Sequence, residues 1–168
     1  MVKIKKVSQT GLRITARMET PSRIAVTAGD KSLRLDMPRL LGGTHRGIMP
    51  LEALLAAYAG SLNVVGNFVA KTMDFHLEGL EFTIWAEFDP SGIWGIAKVK
   101  KAILVVHVDA RVTTIESEGR LAQLRKVMAE RDPIHNLLKS AGVRIQERWQ
   151  RVSPNHSGND SGKKSRRK

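Results

Sequence analysis

Residues 42–74 read GGTHRGIMPLEALLAAYAGSLNVVGNFVAKTMD, and the fold turns on how this stretch is read. It opens with a glycine-rich turn and then meets Pro50, which suits a first helical turn because its missing N–H has no partner there anyway. Beyond it Leu51, Leu54, Leu55, Tyr58, Leu62, Val65 and Val69 recur at helical spacing. Ala53, Ala56, Ala57, Ala59, Gly60 and Ser61 fill the positions between. Small side chains let another backbone approach, so several faces of this helix are expected to be buried. A helix of about twenty apolar residues also has the length of a membrane span. Glu52, Asn63, Asn67 and Lys71 interrupt it, so the reading is the central helix of a soluble domain, with no membrane partner. Gly60 and Gly66 each cost about 1 kcal/mol relative to alanine in a helix, which implies close packing there, a symmetry mate being one candidate.

Upstream, residues 2–7 alternate apolar and basic side chains, as in a half-buried strand. Residues 12–17, 24–27 and 33–36 give three more short strands, separated by Thr20-Pro21-Ser22 and by the hairpin signal Ala28-Gly29-Asp30-Lys31. Downstream, residues 80–89 alternate with Leu80, Phe82, Ile84, Ala86 and Phe88 on one face, and residues 99–113 form a second long strand. Residues 116–130 are amphipathic and helical. Asp132 can cap a further short helix with Pro133 at its first position, and Ala141-Gly142 ends it. Residues 143–152 alternate again as a closing strand. The order predicts an α+β fold with helices on one face of antiparallel sheets. Residues 1–152 are read as one domain, and residues 153–168, polar and basic, as a disordered tail.

Composition narrows the chemistry. The chain has no cysteine, which excludes disulfides, thiolate catalysis and thiolate metal sites. The start lacks the apolar core of a signal peptide, so a cytoplasmic location is expected. A formal charge of +12 makes nucleic acids and anionic surfaces compatible partners, with weak contact through Lys163, Lys164, Arg166, Arg167 and Lys168 of the tail. Base-stacking aromatics are sparse, which argues against nucleic-acid binding as the main role. His45, His76, His107, His135 and His156 are scattered without metal-ligand spacing, so no metal and no cofactor are expected. The glycine-rich loop lacks the G-K-[ST] ending of a P-loop. Trp85, Trp94 and Trp149 sit on or beside strands, as core or interface residues would.

The element order, with Gly42-Gly43…Gly47, Pro50-Leu51-Glu52-Ala53-Leu54-Leu55-Ala56-Ala57 and Asp132-Pro133-Ile134-His135, resembles the OsmC/Ohr family of osmotically inducible and organic hydroperoxide resistance proteins over residues 10–150. The resemblance implies a stress-response protein, an intertwined homodimer with paired central helices, and a pocket at the subunit interface. It also implies a reactive cysteine on the central helix and a resolving cysteine before the late proline. The matching positions here are Ser61 and Asp132. A serine cannot be oxidised and reduced in such a cycle, and an aspartate cannot form a disulfide, so thiol peroxidase chemistry is rejected.

The resemblance places Glu52, Arg46, Tyr58, Ser61, Asp132 and His135 around the pocket, with no confident catalytic residue among them. Glu52 reads either as a polar anchor paired with Arg17, Arg23 or Arg46, or as a first-turn carboxylate favoured by the helix dipole. Ser61, His135 and Asp132 are the parts of a non-redox hydrolase. Against that, Asp132 reads equally as an ordinary helix cap, and the G-x-S-x-G elbow is absent. The leading expectation is a pocket that binds a small apolar or anionic molecule without turning it over.

Overall fold

The computed structural model describes residues 11–154. The chain divides into two compact units, Met1–Ala56 and Ala57–Lys168. The expected strand at residues 2–7 and most of the basic tail lie outside the described residues.

In the first unit β1 (Thr15–Thr20), β2 (Arg23–Ala28) and β3 (Lys31–Leu35) form an antiparallel sheet in that order. The turn into β2 is held by the Arg23 N–H donating to Thr20 Oγ1 at 3.0 Å. The β2–β3 loop has Gly29 at φ 62°, the left-handed backbone that two-residue hairpin loops require. β1 starts later than the alternation predicts, because its pairing with β2 ends at Thr15, opposite Thr27. Leu12 and Ile14 therefore precede the strand and are exposed. Register puts Ala16, Met18, Ile24, Val26, Leu33 and Leu35 on one face and the Arg17, Ala25 and Arg34 row on the other. The first set makes an apolar face, yet Met18 is 71% and Leu33 45% exposed.

α1 (Pro50–Thr72) follows. Its start at Pro50 matches the sequence reading, and the described residues hold no other helix long and apolar enough to cross a membrane. Tyr58, Leu62, Gly66, Val69 and Ala70 are its buried residues, at 3–4 residue spacing. Val64 (67%) and Phe68 (46%) leave an apolar stripe exposed on it.

The second unit is built on β4 (Gly79–Phe88), β5 (Ile103–Thr113) and β6 (Arg144–Val152), with α2 (Glu118–Arg131) and α3 (Pro133–Ser140) between β5 and β6. β4 and β5 pair antiparallel, but β5 and β6 pair parallel, from Val105↔Arg144 to Thr113↔Val152. This sheet is therefore mixed rather than antiparallel throughout. A parallel neighbour needs a crossover of a dozen or more residues, and α2 with α3 supplies it. β5 is shorter than the predicted 99–113, starting at Ile103 opposite Phe88, where β4 ends before the turn at Pro90–Gly92. Val106, Val108, Ala110 and Val112 of β5 share the core with Leu121, Leu124 and Met128 of α2. Each large side chain so buried contributes about 1.5–3 kcal/mol.

Candidate functional site

Two polar clusters stand out, one in each unit. In the first, Asp36 ends β3 at 1% exposure. Its carboxylate accepts the backbone N–H of Met37 (2.8 Å), Thr44 (3.2 Å) and Arg46 (3.0 Å) and the Thr44 hydroxyl (2.5 Å). Burial pushes its pKa up, but the bonds from Thr44, Arg46 and Met37 outweigh it and hold the carboxyl far below the usual range. Asp36 thus pins the loop of residues 37–47. Gly43 has to be glycine there, since a Cβ would sit 1.7 Å from the Met37 carbonyl oxygen.

The same loop settles where the arginines go. Arg23 donates Nε to Glu19 Oε2 at 2.7 Å and Nη1 to Thr44 Oγ1 at 2.7 Å. Arg46 is exposed and contributes its backbone N–H to Asp36. Glu52 Oε2 accepts the Met49 N–H at 2.8 Å, reaching back from the third helical position of α1 to the residue before Pro50. That is the carboxylate half of a capping box. Among the described residues Glu52 makes no ion pair, so of its two sequence readings the first-turn carboxylate is the one with a bond behind it.

In the second unit, Asp132 caps α3 as its sequence position suggests. One oxygen, Oδ1, accepts the N–H of Ile134 (2.9 Å) and of His135 (2.8 Å). The other, Oδ2, is fully buried without a partner. One turn into α3, His135 Nδ1 meets the Tyr58 hydroxyl at 2.8 Å, both side chains buried. Glu147 of β6 stands 3.7 Å from the same nitrogen and accepts Arg125 Nε at 2.8 Å. A line of polar groups thus runs from Tyr58 through His135 and Glu147 to Arg125, with a 3.7 Å gap between His135 and Glu147 that is too long for a hydrogen bond. Burial, then the charges of Glu147 and Asp132, push the Tyr58 pKa well up, so its hydroxyl keeps its proton, and which partner donates in the contact with Nδ1 is set by the imidazole tautomer. Burial also lowers the His135 pKa, against the opposing pull of Glu147, and the ring is neutral at neutral pH.

Tyr58, Asp132 and His135, three of the residues singled out in the sequence, meet here. Ser61 is half-buried one turn beyond Tyr58, on the same side of α1. The hydrolase wiring is not assembled among the described residues: the Asp132 carboxylate bonds the His135 backbone rather than its ring, and no hydrogen bond joins Ser61 to His135. No group of three or more histidines and carboxylates suited to a metal occurs among the described residues. Glu147 escaped the sequence reading, though one signal was there: Ile145, Glu147 and Trp149 share the inward phase of β6, and only one of them is charged.

The family model described as OsmC-like protein matches residues 43–148, from the loop beside Asp36 to β6. The chain belongs to the OsmC-like family. Solved structures share its fold. An OsmC-like protein from Mycoplasma pneumoniae is 19% identical with a TM-score of 0.75, covering 86% of this chain and 99% of its own. An organic hydroperoxide resistance protein OsmC from Legionella pneumophila, also described as a predicted redox protein, is 21% identical with a TM-score of 0.67, covering 86% and 99%. An organic hydroperoxide resistance protein from Elizabethkingia anophelis is 16% identical with a TM-score of 0.63, covering 89% and 100%. Comparison with curated proteins gives no match. The OsmC-like chain described here has no cysteine at any position.

Proposed function

We propose that this OsmC-like protein is a cytoplasmic homodimer. In it the pocket around Ser61 and Asp132, with Tyr58 and His135 beside them, holds a small apolar or anionic molecule without thiol chemistry. What supports this reading is the absence of cysteine from the sequence, together with a serine on α1 and a buried, α3-capping aspartate at the two positions that the resemblance matches to the family's cysteines. Neither can be oxidised by a peroxide and restored by a thiol. Dimerisation is supported by two unpartnered apolar surfaces in the lone chain, the Met18–Leu33 face of the first sheet and the Val64–Phe68 stripe of α1. Exposed apolar surface of this extent marks an interaction site.

The test returns the sulfurs. A Ser61→Cys/Asp132→Cys variant should form an intramolecular disulfide on mild oxidation, because such a bond requires Cα atoms about 4.4–6.8 Å apart. Failure to crosslink in a folded variant would separate the two positions and end the pocket assignment. Light scattering should give twice the chain mass of 18.6 kDa; a monomer at micromolar concentration would remove the dimer.

A further inference from the structure

Between α2, α3 and the start of β6 lies a groove of about 940 Å³, formed wholly within the second unit. Ala122, Ala129, Val143 and Ile145 give its lining an apolar part. His135 and Glu147 line it as buried polar groups, His135 at 5% exposure. The rim carries Arg125, Lys126, Lys139 and Arg144. Arg125 is taken by Glu147 at 2.8 Å. Lys126, Lys139 and Arg144, one from each of the three elements, have no acidic partner among the described residues. Glu130 is the other carboxylate at the rim. Cations left unpaired around a concave, partly apolar surface lower the free energy of an anion placed there.

The imidazole strengthens the case. Its Nδ1 is occupied by Tyr58. Among the described residues its Nε2 has no hydrogen-bond partner, and it is not sealed off as a buried orphan. In the tautomer whose Nδ1 accepts from Tyr58, Nε2 carries the proton and offers the groove a donor held in place from behind by the tyrosine. A ring donor and three mobile cations suit an oxygen-rich anion, and the apolar part of the lining suits a short carbon skeleton attached to it.

We infer that this groove is a binding site for a small organic anion bearing a carboxylate or phosphate group, seated on Lys126, Lys139 and Arg144 with His135 Nε2 donating from the lining. It shares His135 with the pocket proposed above, while Lys126, Lys139 and Arg144 take no part in that pocket or in the proposed dimer surfaces, so their variants test the groove separately from the Ser61–Asp132 crosslink.

The experiment is an NMR titration of the full ¹⁵N-labelled chain with inorganic phosphate, with citrate, and with sodium chloride at matched ionic strength. The expected result is a saturable shift of the Lys126 and Lys139 amides and of the His135 ring nitrogens with phosphate or citrate. Whichever of the two saturates at lower concentration names the head group. In Lys139→Ala/Arg144→Ala the affinity should fall about tenfold or more, the range for losing charge-assisted hydrogen bonds. Both residues are exposed, and Lys126→Gln provides a second, independent loss should that pair unfold. Equal shifts with chloride, undiminished binding in the variants, or a His135 ring that does not respond would each overturn the inference. So would a short single-stranded oligonucleotide that shifts these residues where the small anions do not.

Discussion

Replacing Tyr58 with phenylalanine removes one atom and leaves the ring packing in place. The lost hydroxyl lies 2.8 Å from His135 Nδ1, with Tyr58 fully buried and His135 5% exposed. A buried hydrogen bond of this kind contributes about 1 kcal/mol net, and leaving its partner buried and unsatisfied costs about 1–3 kcal/mol. Glu147 Oε1, at 3.7 Å from the same nitrogen, is too distant to take over without movement. The expected destabilisation of Tyr58→Phe is therefore about 1–3 kcal/mol, or roughly 3–10 °C in Tm for a chain of this size. Size alone would not establish the bond, so the assay is a double-mutant cycle with His135→Leu, read by urea unfolding at one fixed protein concentration. The two changes should couple by about 1 kcal/mol. A coupling within about 0.3 kcal/mol of zero would show that the two side chains do not sense each other, and the polar line through α3 would be wrong.

Asp36→Asn should free the loop it pins: hydrogen exchange of the Thr44 and Arg46 amides, which donate to that carboxylate, should accelerate, and unchanged protection would refute the pinning role. For pH, burial sets the His135 pKa below its ordinary value of about 6.5, so as pH falls the unfolded chain takes up the proton first. Stability should be full above about pH 6.5 and decline below it, and the decline should be shallower in His135→Leu; identical slopes would contradict the assignment. Gly66→Ala would bring a Cβ to 2.9 Å from Leu80 Cδ1 and 3.0 Å from Met128 Cε, so overpacking of about 1–3 kcal/mol should outweigh the gain in helix propensity. Gly60→Ala meets nothing within 4 Å in the chain and should stabilise a lone chain by about 1 kcal/mol. A loss of stability that grows on dilution would instead place a second copy against Gly60.

What the sequence made legible follows from what alternation and capping encode. α1 was readable because Pro50 and the leucine spacing fix both its start and its buried side. Asp132 was readable as a cap because a carboxylate before proline has few other uses at a helix start. Strand direction was not readable: residues 144–152 alternate the same way whether they pair parallel or antiparallel with β5, and only the α2–α3 crossover decides. Asp36 reads on paper as a polar, alternating residue of the short strand 33–36, and its role depends on a loop folding back from residue 44. The Tyr58–His135 contact spans 77 positions, a separation that no local pattern reports. Glu52 shows the limit of carrying residues over from a family: the position was identified, while the bond it makes here is to its own helix terminus.

The central claim is that an OsmC-like scaffold operates here without redox sulfur. The most direct measurement is consumption of an organic hydroperoxide by the purified chain in the presence of a dithiol reductant. The account predicts the same rate as reductant alone for the native chain, and a rate above that background once Ser61→Cys and Asp132→Cys are both introduced. Turnover by the native, cysteine-free protein would contradict it.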